Sequence, residues 1–180
     1  MNICKFFISL FLVIELIVVC MAEDWPRFRG VNGQGISSQE VPTQWSEDKN
    51  IKWRCKLPGP GSSSPVIYRN KIFITSFSGV TTGDKDSSKL VRHIVCVDKE
   101  KGTIIWKDTI KATQPEDPYS GFLVEHGYAS NTPLIDSGRL FVYLGKSGIH
   151  CYSLDGKKLW QKSLGTGSTR RKWGSAASPI

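Results

Sequence analysis

Two stretches of this chain carry the side chains best suited to chemistry. Residues 114–128 contain Glu116, Asp117, Tyr119, Glu125, His126 and Tyr128. An imidazole beside a carboxylate can take up and return a proton, so Glu125 next to His126 is a candidate acid–base pair, with Asp117 or Glu116 as a second carboxylate. Adjacent residues seldom face each other directly. The alternative is that His126 hydrogen-bonds backbone carbonyls and pins a long loop. The second stretch, Arg170-Arg171-Lys172-Trp173, sets three cations beside an indole. Clustered cations with an aromatic suit phosphate, carboxylate or sugar-acid groups. The alternative there is a solvated charge cluster. No catalytic residue is assigned from either stretch.

Other chemistries have little support. Cys-x-x-Cys and His-x-x-x-His are absent, so a zinc site is not expected. Asp84-Lys85-Asp86 could begin a calcium loop, but the later ligands of an EF-hand are missing, and the polar run to Ser88 reads as loop filler. There is no Gly-x-Ser-x-Gly elbow, P-loop or His-Glu-x-x-His. The formal net charge is +8. With no basic run interleaved with aromatics, that excess suits polyanionic polymers or lipid head groups better than nucleic acid. A solvated basic surface with no partner is the other reading.

The elements that must position these groups repeat. Residues 140–160 read as three short strands in a meander, with a Gly145–Gly148 turn cluster and an Asp155-Gly156 hairpin signal before Trp160. An earlier copy runs through 71–77, 93–98, the turn 99–102 and 103–110. Gly and Trp keep one spacing in both, Gly102 to Trp106 and Gly156 to Trp160. A further strand precedes each set, at 64–68 and 132–135. Tandem units of four antiparallel strands predict an all-β fold, a partial β-propeller of four-stranded blades. The expected organisation is a first full blade over 63–110, an inter-blade loop over 111–130, a second blade over 131–162, and a loop plus the start of a third blade over 163–180.

This repeat resembles the PQQ-like (quinoprotein-type) β-propeller repeat, whose blades carry an Asp-x-x-x-Gly-x-x-x-Trp-like segment. Residues 98–106 (DKEKGTIIW) and 154–160 (LDGKKLW) match it, and 24–30 (DWPRFRG) looks like the opening of secreted bacterial propellers of that type. The resemblance implies an exported, non-catalytic binding or scaffold module, similar in role to the propeller lipoprotein of outer-membrane barrel assembly. The runner-up is the amino-terminal part of a quinone-dependent oxidoreductase, with PQQ and calcium as cofactors, and the third reading is a carbohydrate-binding propeller. Such dehydrogenases use adjacent cysteines near the quinone and calcium held by Glu, Asn and Asp. No Cys-Cys pair occurs here, and no residue can be placed on those ligands.

Residues 1–22 read as a secretory signal peptide: Lys5, an apolar core from Phe6 to Val19, and small residues ending at Ala22. An exported, periplasmic or extracellular protein with no membrane span after cleavage is expected, with lipid anchoring at Cys20 as the lesser alternative. Residues 23–50 are expected to form an extended strap anchored by Trp25, Phe28 and Trp45. Residues 51–57, around Trp53, are expected to be the orphan outer strand of a closing blade, which makes the chain a fragment of a longer propeller. Trp53, Trp106 and Trp160 are the structural blade tryptophans. Cys96 and Cys151 occupy matching third strands and should be buried and unbridged, and His93 and His150 should pack between blades. Loops after second and fourth strands share one side of a meander. That places 57–62, 78–90, 111–130 and 163–174 on one face, the expected binding face, with 145–148 as its one short member.

Overall fold

The computed structural model describes residues 23–112 and 114–180. The expected signal peptide and Cys20 lie outside the described residues. Among the described residues, eight strands form two antiparallel meanders. The first sheet contains β1 (Val66–Tyr68), β2 (Lys71–Ser78), β3 (Val91–Asp98) and β4 (Ile104–Lys111) in that order. The second contains β5 (Leu134–Asp136), β6 (Arg139–Tyr143), β7 (Ile149–Ser153) and β8 (Lys158–Lys162). These are the four-stranded antiparallel sheets of propeller blades. Helix is limited to α1 (Leu123–His126) and one 3-10 turn, Gly145–Ser147, among the described residues.

β-Branched and aromatic side chains favour the pleat, and alternation sends one set of them inward. Val66, Phe73, Ile94, Cys96 and Ile110 of the first sheet meet Ile135, Leu140, Val142, Leu144 and Tyr152 of the second in one buried cluster. Cys96 and Cys151 are buried free thiols on β3 and β7. Burial pushes the Cys96 thiol up to about 12, so it packs as a small apolar group.

Each sheet has a bulge at the same place, opposite its tryptophan: the β3–β4 register shifts after Cys96, paired with Trp106, and β7–β8 after Cys151, paired with Trp160. A bulge bends the strand and re-aims the side chain. Trp106 therefore leans out of its own sheet onto the β7–β8 turn of the next. There its Nε1 donates to the Leu154 carbonyl at 3.1 Å. Gly156, at φ +89°, lies under the indole, where a Cβ would come within 2.8 Å of the ring. Trp53 does the same one unit earlier, donating to the Lys99 carbonyl at 2.8 Å and covering Gly102, at φ +67°. The Gly–Trp spacing within each repeat thus serves contacts between repeats. Trp160 has no such turn beneath it among the described residues; it rests on Phe141 and is 41 % exposed.

A second clasp joins the inner strands. The Ser64 N–H donates to Thr132 Oγ1 at 3.0 Å, and the Thr132 N–H donates to Ser178 Oγ at 2.9 Å. Each hydroxyl precedes the proline of its repeat and serves the equivalent residue one unit back.

Residues 23–50 hold to the sheets only at their start. Trp25 exchanges both backbone bonds with Ile67, at 2.8 and 2.9 Å, and the Pro26 carbonyl accepts from Ile135. Phe28 and Trp45 are 47 % and 59 % exposed and are not anchors. The turns beyond Trp25 close on themselves through local polar contacts, so neither ring reaches the core. Residues 51–57 are extended but join no ladder among the described residues; the Trp53 side chain fixes them instead.

Two outcomes test this packing. Gly156→Ala and Gly138→Ala both strain a left-handed glycine, but only Gly156 has a ring in the way. Gly138→Ala should cost about 1 kcal/mol and Gly156→Ala about 2–3 kcal/mol by chemical denaturation. His150 is fully buried, with Nε2 on the Ser147 carbonyl at 3.0 Å, and burial lowers its pKa. Charging it opposes folding, so its contribution is present above about pH 6.5 and is lost as pH falls below that. The lowered pKa of His93 acts in the same direction. His150→Leu should therefore reduce, without abolishing, the loss of stability between about pH 6.5 and 5.

Candidate functional site

The long loops converge on one end of the two sheets. Residues 78–90 meet 111–130 through Gly83 N–H to the Tyr119 carbonyl at 2.8 Å, Tyr119 N–H to the Asp84 carbonyl at 3.0 Å, and Glu116 N–H to Ser87 Oγ at 2.9 Å. Phe77, Leu90, Leu123, Tyr128 and Ala129 form a small core beneath them. Tyr119 and Tyr128 both pack edge-on against Phe77. The 163–174 loop closes over this group: Ser168 Oγ donates to Asp117 Oδ1 at 2.5 Å, and Phe122 and Trp173 lie 4.9 Å apart. Between them is a cleft of about 410 Å³.

Arg92 occupies its floor. It is a cation on the inward face of β3, in line with Ile94 and Cys96, and its side chain is 3 % exposed. Nε donates to the Tyr128 carbonyl at 3.0 Å, and Nη1 donates to Ser147 Oγ at 3.2 Å. Nη2 stands 2.9 Å from Glu116 Oε1, whose side chain is 7 % exposed. This one guanidinium ties a strand of the first sheet, the 111–130 loop and the 3-10 turn of the second sheet. Burying a charge is costly unless it is paired and hydrogen-bonded, and Arg92 is both. Lys146 pairs with Asp117 at 3.6 Å and donates to the Pro115 carbonyl at 2.8 Å. Burial keeps the Tyr128 phenol protonated, and it donates to the Asp117 carbonyl at 2.5 Å.

Asp117, Tyr119, His126 and Tyr128 are thus gathered at this end, but not as an acid–base set. Glu125 is exposed and is not a partner of His126, because consecutive residues of α1 point about 100° apart. His126 Nε2 is 2.8 Å from the Trp173 carbonyl, and Nδ1 is 2.9 Å from Ser130 Oγ. A carbonyl can only accept, so Nε2 carries the proton and Nδ1 faces the hydroxyl. Both nitrogens are engaged in holding the loops together. Arg170, Arg171, Lys172 and Trp173 form an exposed rim, with the Arg171 guanidinium 4.7 Å over the Trp173 ring.

Arg92 and Lys146 were not among the residues singled out from sequence. A charge in register with Ile94 and Cys96 on the inward face of β3 was the available signal for Arg92. Lys146 sits in a short Gly-flanked turn that resembles any solvated loop.

Among the described residues no group of three or more His, Cys, Asp or Glu is arranged to hold a metal ion, and the buried thiols sit on separate sheets. Asp84 and Asp86 each bind within their own turn, to Thr81 and Ser88.

Breaking the central ion pair separates its role from that of the rim. Arg92→Met should destabilise by about 3–5 kcal/mol because it leaves Glu116 buried without a counter-charge, and adding Glu116→Gln should recover part of that loss. Equilibrium denaturation of the two variants measures this directly.

A search of curated proteins found no match. The family model described as outer membrane protein assembly factor BamB, a PQQ-type propeller repeat, matches residues 88–180, just over half of the chain. That stretch holds β3 and β4, the 111–130 loop, the whole second sheet and the loop after it, so the chain belongs to the PQQ-like β-propeller repeat family.

Proposed function

We propose that this chain is an exported, non-catalytic binding or scaffold module that engages an envelope protein or polyanionic polymer through its long-loop end. The charged side chains inside the cleft are paired with one another, and the imidazole beside it is engaged at both nitrogens. That arrangement supports a rigid recognition surface over a poised acid–base centre. The observation that carries the reading is the rim. Phe122 and Trp173 are exposed large aromatics in contact, Arg171 stacks on the indole, and Arg170 and Lys172 flank it in solvent. Aromatic anchors with arginine are the residue types that concentrate binding energy at interfaces. The net charge of +8 favours acidic partners, and the family description, an outer-membrane assembly factor, supports an envelope setting.

The test replaces Arg170, Arg171 and Lys172 together with Ala. Retention on an anionic envelope polymer, or on an envelope-protein fraction bound by the parent, should fall at least about tenfold, since each desolvated charge contact is worth about 1 kcal/mol or more. The parent's binding should also weaken as salt is raised. Retention equal to the parent's would reject the rim as the contact surface.

A further inference from the structure

The rim carries more apolar surface than charge recognition needs. Phe122 is 54 % exposed and Trp173 is 42 % exposed, and neither ring lines the cleft, so the two project as a pair 4.9 Å apart. The pair is held from behind. The His126 ring lies 5.8 Å from that of Phe122, and its Nε2 meets the Trp173 carbonyl at 2.8 Å. The Phe122 carbonyl accepts from the Glu125 N–H at 3.1 Å, so both aromatic residues have their carbonyls bonded within the fold. An apolar medium demands that, because it offers a bare carbonyl no partner. The charge around the pair is one-sided. Residues 159–180 contain Lys162, Arg170, Arg171 and Lys172 and no Asp or Glu. Asp117 is engaged by Ser168 and Lys146, which leaves Glu125 as the exposed carboxylate of α1. An acidic polymer would meet these cations but leave the rings in water. An acidic protein would have to supply a pocket for two adjoining rings. The surface of an anionic bilayer takes both at once: Trp and Phe settle at head-group depth while Lys and Arg meet the phosphates.

We propose that the rim docks on an anionic lipid surface, with Phe122 and Trp173 inserted among the head groups and Arg170, Arg171 and Lys172 paired with lipid phosphates. The proposal rests on the rim as the contact surface and goes beyond that reading in naming the partner. Three surface cations and two half-exposed rings give reversible docking and not a permanent anchor.

The full chain is titrated with vesicles of phosphatidylcholine alone, or of equal phosphatidylcholine and phosphatidylglycerol, with acyl chains brominated near the head group to quench tryptophan. The apolar run Phe6–Val19 can itself enter a bilayer, so the reading is taken at Trp173, as the difference between each protein and the same protein carrying Trp173→Phe. That component should be quenched in the mixed vesicles, stay unquenched in phosphatidylcholine, and recover as salt is raised. Replacing Arg170, Arg171 and Lys172 together with Ala should weaken docking about a hundredfold, at about fivefold per cation near an anionic surface. Phe122→Ser should weaken it about tenfold, while retention on polyglutamate, which meets only the cations, stays at the parent's level. The altered side chains are exposed, so circular dichroism should not change. Equal quenching in both vesicle types, none in the mixed vesicles, or quenching that survives the triple replacement overturns the proposal. So does a Phe122→Ser variant that loses polyglutamate and vesicles alike. If the triple variant loses polyglutamate while the parent's Trp173 stays unquenched by lipid, the rim reading stands and the lipid assignment alone fails. If neither polyglutamate nor vesicle binding depends on the three cations, both fail.

Discussion

The architecture depends on an indole of one sheet lying on a glycine turn of the next. A four-stranded meander cannot bury both faces by itself, so each sheet needs a neighbour at a fixed distance and angle. Trp106 over Gly156, and Trp53 over Gly102, set that distance with a flat ring, a hydrogen bond to a turn carbonyl and a residue with no Cβ. The inner clasp from Ser64 to Thr132 and from Thr132 to Ser178 repeats the logic near the first strands. With sheets held at both edges, the apolar faces between them close around Phe73, Ile94, Leu140 and Tyr152.

Holding the sheets this way frees one end for long loops. The opposite end carries the short β-turns that receive the tryptophans, and insertions there would disturb docking. At the free end, the 111–130 loop and the 3-10 turn Gly145–Ser147 meet over Arg92. The same guanidinium that pins them also gives the cleft its charge balance, so a stabilising device and a polar cavity arise from one buried residue. The cationic, aromatic rim lies outside that balance and faces solvent.

Much of the fold was legible because its signals are local. Alternating apolar residues marked the strands, the Asp-Gly and Gly turns marked the hairpins, and the recurrence of both showed repeats. The direction of the Gly–Trp relation was not legible, since a spacing within one repeat is compatible with contact inside it or across to the next. The bulges after Cys96 and Cys151, which send the ring outward, leave no mark in composition. At the candidate site, the loop end and several of its residues were anticipated. The Glu125–His126 pairing was not realised, because α1 turns the two side chains apart and Trp173 arrives from a distant loop to take the imidazole. Phe28 and Trp45 show the limit of reading aromatics as anchors where the surrounding chain makes only local contacts.

A double-mutant cycle on Trp106→Leu and Gly156→Ala, read by urea denaturation, probes the inter-sheet docking most directly. Both changes damage one contact, so the pair should be less destabilising than the sum of the singles by about 1 kcal/mol or more. Additivity within about 0.5 kcal/mol would mean that the ring and the turn do not act together, and that the sheets are held by something else.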